Sequence, residues 1–246
     1  MFIEKIKTLS VSDAKKKSIC DFCKGITECM QQNLIALYIY GSAVRDDFKE
    51  GISNINIFSV MQKIDISILR NCLDVISKGR RDNISTFLLT NEELQNSLDV
   101  FPGKIFSIKE DGILLAGTDL LSGIKIDNEY LRLKCEEEIR TVMLKLRRNF
   151  LSRNGAFLLA PLFDFAREVR EVLRIMFFLQ FNKIVPRKEI IIVAAKTWEY
   201  DFQPIQIAID LRFRTNEKSN SEIEEIYGKF MDCIAFLAKK ADRKLA

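Results

Sequence analysis

Histidine is absent from all 246 residues, and no other absence in this chain excludes so much chemistry. Histidine is the usual general base near neutral pH and the usual nitrogen ligand of zinc and haem. Ser-His-Asp and Cys-His hydrolases are therefore excluded, as are zinc proteases built on two helical histidines. What survives is chemistry done by carboxylates, magnesium, lysine or backbone amides, or no chemistry at all. Long apolar runs are missing too. The longest, residues 34–40 and 190–195, fall far short of the roughly 20 needed to cross a bilayer. Glu4, Lys5 and Lys7 are followed by no apolar stretch, so no signal peptide is expected; the expected compartment is the cytoplasm, with no membrane partner. Proline and glycine are scarce, four and ten residues, which excludes fibrous and linker-like chains.

The six cysteines, in a chain expected to stay in the cytoplasm, argue for reduced thiols rather than a disulfide framework. Cys20, Cys23 and Cys29 are spaced like soft metal ligands, but a fourth local ligand is missing and buried packing is the commoner use. At 48% hydrophobic and 29% charged residues, the composition is that of a folded globular protein. Its length suits two modest domains. The net charge of +4 is uneven: residues 1–127 hold 16 Lys/Arg against 17 Asp/Glu, and residues 128–246 hold 22 against 17. That excess permits an anionic partner without requiring one.

The first half alternates between helix and strand patterns. A helix is expected over residues 13–31, then a strand over 34–40 that ends on the turn signal Gly41-Ser42, with a helix start expected after it. Residues 53–60 read as a second strand, in which Asn54 and Asn56 share a face. A helix over 65–77 and a strand over 84–89 follow, and Thr90 with Glu93 forms a capping box. Phe101-Pro102-Gly103 reads as a turn opening a strand over 104–109, which Asp111-Gly112 links as a hairpin to a strand over 113–116. From Tyr130 the pattern is helical. Cys135, Ile139, Val142, Met143, Leu146 and Phe150 make one apolar stripe, with Glu136 and Arg140 paired four apart. Pro161 opens a second long helix carrying Leu162, Phe165, Ala166, Val169, Leu173 and Met176. Weaker helices are expected over 187–200, 205–213 and 221–243. The expected fold is α+β, a mixed sheet covered by helices over residues 1–127 and a helical bundle over 128–246.

The chemistry-bearing segment is Leu37-Tyr38-Ile39-Tyr40-Gly41-Ser42-Ala43-Val44-Arg45-Asp46-Asp47, followed by Ser53-Asn54-Ile55-Asn56-Ile57. It resembles the nucleotidyltransferases of the DNA polymerase β-like superfamily, in particular the minimal and aminoglycoside-type members. The resemblance implies a strand that delivers Gly-Ser to a helix N-terminus and a second strand that presents an Asp-x-Asp pair. Amides at a helix start hold a triphosphate. Two carboxylates at period two share magnesium with it. Gly41 and Ser42 match the first element, and Arg45 with Asp46 matches the run that follows, so Gly41, Ser42 and Arg45 are the implied nucleotide-binding residues. Asn54 and Asn56 stand where the carboxylates belong, and asparagine keeps the shape without the charge. The tract Leu98-Asp99-Val100-Phe101-Pro102-Gly103-Lys104 resembles the segment that brings in a third carboxylate, and puts Lys104 in its place. Leu115-Ala116-Gly117-Thr118-Asp119-Leu120-Leu121 and Leu131-Arg132-Leu133-Lys134-Cys135-Glu136 look like the junction and first helix of members with a helical C-terminal domain.

Three functions are compatible with these residues. The first is a catalytically degenerate protein that binds a nucleotide, ATP or another NTP, and acts through binding or regulation. The second is an active transferase of a nucleoside monophosphate to a hydroxyl acceptor, with Mg2+ and with Asp46 or Asp47 replacing the lost ligands. The third is a protein- or RNA-interaction module based on the basic helical half. Arg167, Arg170 and Arg174 on one helix, and Lys78, Arg80 and Arg81 around Gly79, offer cations, for which a solvated face and a helix C-terminus are the plainer uses. Phe177-Phe178-Leu179-Gln180-Phe181, Trp198 and Tyr200 fit either packing or a pocket.

Overall fold

The structure is a computed structural model that describes residues 2–45, 47–51, 53–152, 158–211 and 219–242. The chain divides into two compact units, Met1–Ile126 and Asp127–Ala246. In the first, helices α1 (Phe2–Lys7) and α2 (Asp13–Met30) precede β1 (Leu34–Tyr40) and β2 (Ile55–Met61). Helices α3 (Ile66–Asn71) and α4 (Leu73–Arg81) lead into β3 (Ile84–Thr90), and α5 (Asn91–Asn96) and α6 (Pro102–Asp111) into β4 (Ile113–Gly117). The helix starts carry their own polar signals. Ser12 caps α2, Asp65 accepts from the Ser67 and Ile68 amides at 3.0 Å, and Thr90 and Glu93 exchange hydrogen bonds around the start of α5.

The four strands form one sheet in the order β3-β2-β1-β4; β2 and β3 are parallel, and the other neighbours antiparallel. Period-two alternation sends Leu37, Ile39, Ile55, Ile57 and Ile84 to one face, where they pack with Ile19, Phe22, Cys23 and Ile26 of α2. The opposite face carries Ala36, Tyr38, Phe58, Val60 and Leu89 against Leu94 of α5 and Ile105 and Ile108 of α6. Burial on both faces makes β1 and β2 nearly continuous apolar runs, and each buried aliphatic side chain contributes roughly 1.5–3 kcal/mol.

Three local expectations fail. Residues 104–109 are helical and not a strand, because Pro102 occupies a first-turn position where its missing N–H costs nothing; Ile105, Phe106 and Ile108 then turn inward together. β4 consequently pairs with β1 rather than with a hairpin partner. The helix expected over 65–77 breaks at Cys72 into α3 and α4. No α-helix starts at Gly41-Ser42: Gly41–Val44 is a single 3-10 turn, closed by Arg45 N donating to Ser42 O at 3.1 Å, with Arg45 itself extended.

The second unit is helical: α7 (Asn128–Ser152), α8 (Leu162–Phe181), α9 (Ile190–Trp198), α10 (Gln203–Asp210) and α11 (Asn220–Asp242). Its buried faces follow the helical period, Cys135, Ile139, Val142 and Leu146 on α7 and Leu162, Ala166, Val169, Leu173 and Met176 on α8. Phe150 departs from its stripe and is exposed, its ring tilted against Tyr227 at 5.6 Å. Glu136 and Arg140 pair at 3.0 Å as spaced. Phe213 and Arg243, at the ends of two expected helices, lie outside the described residues. No helix among the described residues is long and apolar enough to cross a membrane.

Candidate functional site

Strand register arranges the second face of the sheet in rows. Ala36, Val60 and Leu89 make an apolar row, and Tyr38, Phe58 and Phe87 an aromatic one, with ring centroids 5.9 and 5.1 Å apart. The next row, at the end of the sheet, is Tyr40, Asn56 and Ser85. Asn54 precedes it by one pleat and shares a concave surface with Ser85. One sheet face thus passes from core to polar floor within two residues on each strand.

Gly41 sits at the rim of this floor. Its φ is +85°, a conformation that L side chains rarely adopt, and a Cβ there would meet the Asn56 side-chain nitrogen at 2.6 Å. Glycine is therefore required twice, by the backbone and by the asparagine beside it. The turn places Ser42 and Arg45 at the same end of the sheet. Arg45 is tied down: Nη1 donates to Asp111 Oδ2 at 2.6 Å, and Nε lies 3.5 Å from Asp47 Oδ1. Arg45 and Asp111 are mostly buried, so the pair clamps the turn to the end of α6. Asp46 lies outside the described residues.

Lys104 belongs to α6 and not to a strand of the sheet. Its Nζ lies 3.6 Å from the Phe87 ring centroid, two residues along β3 from Ser85. The residue keeps solvent contact, but loss of water around the ammonium lowers its pKa below the ordinary lysine value. Burial pushes the Tyr40 phenol up to about 12, so it is a neutral hydroxyl at physiological pH. Sequence reading misses Ser85 and Tyr40 as members of the floor, because membership depends on register between strands. In the sequence Ser85 is one of three hydroxyl residues of its strand, with Thr86 and Thr90, and nothing local singles it out.

The whole chain can be set beside a solved structure, "Crystal structure of spectinomycin adenyltransferase AAD(9) from Enterococcus faecialis with ATP and spectinomycin". The match covers 92% of this chain and 99% of that one, with a TM-score of 0.61 and 14% identity. The chain has a nucleotidyltransferase-like fold. Two further solved structures match less well. A putative nucleotidyltransferase from Sulfolobus solfataricus matches 45% of this chain and 97% of its own, at 21% identity and a TM-score of 0.26. A nucleotidyltransferase-like protein from Exiguobacterium sibiricum matches 92% and 74%, at 9% identity and a TM-score of 0.32. No family model and no curated protein matches the sequence.

Other chemistry-bearing residues of this nucleotidyltransferase-like chain have structural partners. Arg174 is buried, donating through Nε to Val185 O at 3.1 Å and through Nη1 to Glu171 at 3.2 Å. Arg167 lies over the Phe163 ring. Trp198 donates to Gln180 and stacks obliquely on Phe177, while Tyr200 lies against Phe236. Cys23 is a core residue of α2, and Cys29 turns its sulfur to Cys72 at 2.9 Å. Among the described residues no three His, Cys, Asp or Glu side chains are grouped so as to hold a metal ion.

Proposed function

We propose that this chain binds a nucleotide without a metal ion and does not transfer it, acting as a catalytically degenerate binding or regulatory protein on the nucleotidyltransferase-like fold. The observation that carries this reading is the composition of the floor: Asn54, Asn56, Ser85 and Tyr40 offer carboxamides and hydroxyls and no carboxylate. Ser85, paired with Asn56 on the same face, takes the role of third floor position that the sequence alone gave to Lys104. The ATP named with the similar adenyltransferase supports a nucleotide as the ligand class.

Magnesium does not fit these donors. It binds through carboxylates and phosphate oxygens in a near-octahedral shell, and neutral carboxamide oxygens are poor substitutes. Among the described residues, the nearby acids are committed elsewhere: Asp47 and Asp111 to Arg45, and Asp119 to the Tyr38 hydroxyl at 3.0 Å. Active transfer would need one of them on the floor. A carboxamide has a property the carboxylate lacks, since its NH2 group donates directly to a phosphoryl oxygen. With aspartate there, two anions would face each other and need a metal between them. With asparagine the floor can meet the phosphate itself, alongside the Ser42 hydroxyl and the amides of the Gly41–Val44 turn.

The test is to restore the charges. The double variant N54D/N56D should acquire magnesium-dependent ATP binding, measured by calorimetry in magnesium and again in EDTA, while the unaltered protein shows no difference between the two. Equal magnesium dependence in both proteins, or none in the variant, would contradict this placement of the site.

A further inference from the structure

The polar floor continues past Ser85 to the outer edge of β3. There Asn54, Arg80, Asn83, Ile84, Ser85 and Thr86 line a concavity of about 300 Å3. It forms where α4 ends and two parallel strands begin: Asn83, at φ +59°, turns the chain into β3, and its carbonyl accepts from Ile55 N at 2.9 Å. Arg80 stands in the last turn of α4, where a cation commonly answers the exposed carbonyls. Here the backbone answers them instead. Asp82 N donates to Gly79 O at 3.0 Å and Asn83 N to Arg80 O at 3.1 Å. The Arg80 side chain has no ion pair or hydrogen bond with another described residue.

Among the described residues no carboxylate lines this pocket. Asp82, the acid nearest in sequence, lines the separate groove between α2 and α4 together with Arg81. The inventory is one guanidinium with five N–H donors, two carboxamides and two hydroxyls, so every polar side chain can donate and one carries a fixed positive charge. A volume of this size is at the small end of ligand sites and too small for a whole nucleoside triphosphate. We propose that this pocket binds a phosphoryl group, with Arg80 as its charged anchor and Asn54 and Ser85 as hydrogen-bond donors. The group belongs either to a separate phosphomonoester or to the phosphate tail of a nucleotide on the adjoining floor, with which the pocket shares Asn54 and Ser85. Only the second source rests on the proposed nucleotide site.

The probe is inorganic phosphate, titrated in EDTA at low ionic strength and followed by calorimetry. The protein should bind it, R80Q should weaken binding by about tenfold or more, R80K should retain part of it, and R81Q should leave it unchanged. Arg80 is exposed, so its variants should keep the thermal midpoint. Competition between phosphate and ATP would identify the nucleotide tail as the source, and simultaneous binding a separate phosphomonoester. No phosphate binding, or equal binding by the protein and R80Q, would overturn the inference; ATP binding that persists in that case leaves the nucleotide site standing. Arg80-dependent phosphate binding without any ATP binding would instead overturn the nucleotide reading alone.

Discussion

Gly41 supplies a backbone conformation that other residues rarely adopt and leaves room for the Asn56 side chain. Replacing Gly41 by alanine forces a Cβ to within 2.6 Å of the asparagine nitrogen and an L residue into φ +85°. G41A should therefore lose about 1–3 kcal/mol of stability, read from the urea midpoint, and should lose ATP affinity as the floor is displaced. Arg174 makes a contrasting case. Its guanidinium is buried and held by Val185 O and Glu171, while Glu171 also pairs with Arg187 at 3.2 Å, so R174A should cost about 1–3 kcal/mol by leaving the Val185 carbonyl unpaired, with the carboxylate still held by Arg187. An unchanged urea midpoint would show that the carbonyl finds another donor. At this scale the sequence was informative about Gly41, Ser42 and the two asparagines, because turn chemistry and period two are local. It was silent on Ser85, which joins the site only through the parallel register of β2 with β3, and it offered Arg80 only as a cation at a helix C-terminus.

Among the elements, α6 shows how local pattern misleads. Ile105, Phe106 and Ile108 beside Gly103 read as a short strand, and the helix has no side-chain cap to announce its start. Tertiary packing decides instead, with all three side chains inward beneath the sheet. At the far end of the same helix Asp111 reaches back to Arg45. A double-mutant cycle on R45A and D111A should give a coupling energy of about 1–3 kcal/mol, as expected for a largely desolvated, hydrogen-bonded ion pair. Coupling near zero would mean that the turn is held by its own backbone. Helices α7 and α8 were legible because a 3.6-residue apolar stripe lies within one segment, and α5 because its capping box does. The break at Cys72 was not, since the apolar spacing of 65–77 runs through it without interruption.

At the scale of the molecule, a sheet-bearing unit and a helical unit each bury their own core, and neither core contains a histidine to titrate near neutrality. The titrations that matter lie at alkaline pH. Burial pushes Cys23, Cys29 and Cys233 up to about 12, and likewise Tyr38 and Tyr40. Each is an acid whose neutral form the fold favours. Their contribution is fully present below the unfolded values near 9 for cysteine and 10 for tyrosine, and is lost as pH rises toward 12. Thermal midpoints should stay flat from pH 7 to about 9 and fall steadily above it, and alkylation of the buried thiols Cys23, Cys135 and Cys233 at pH 8 should be slow until the chain unfolds.

The most direct test of metal-free nucleotide binding is calorimetry of ATP with the unaltered protein, once in millimolar magnesium and once in EDTA. The expected result is saturable binding with the same affinity in both. Binding that appears only with magnesium, or no binding in either, would contradict it.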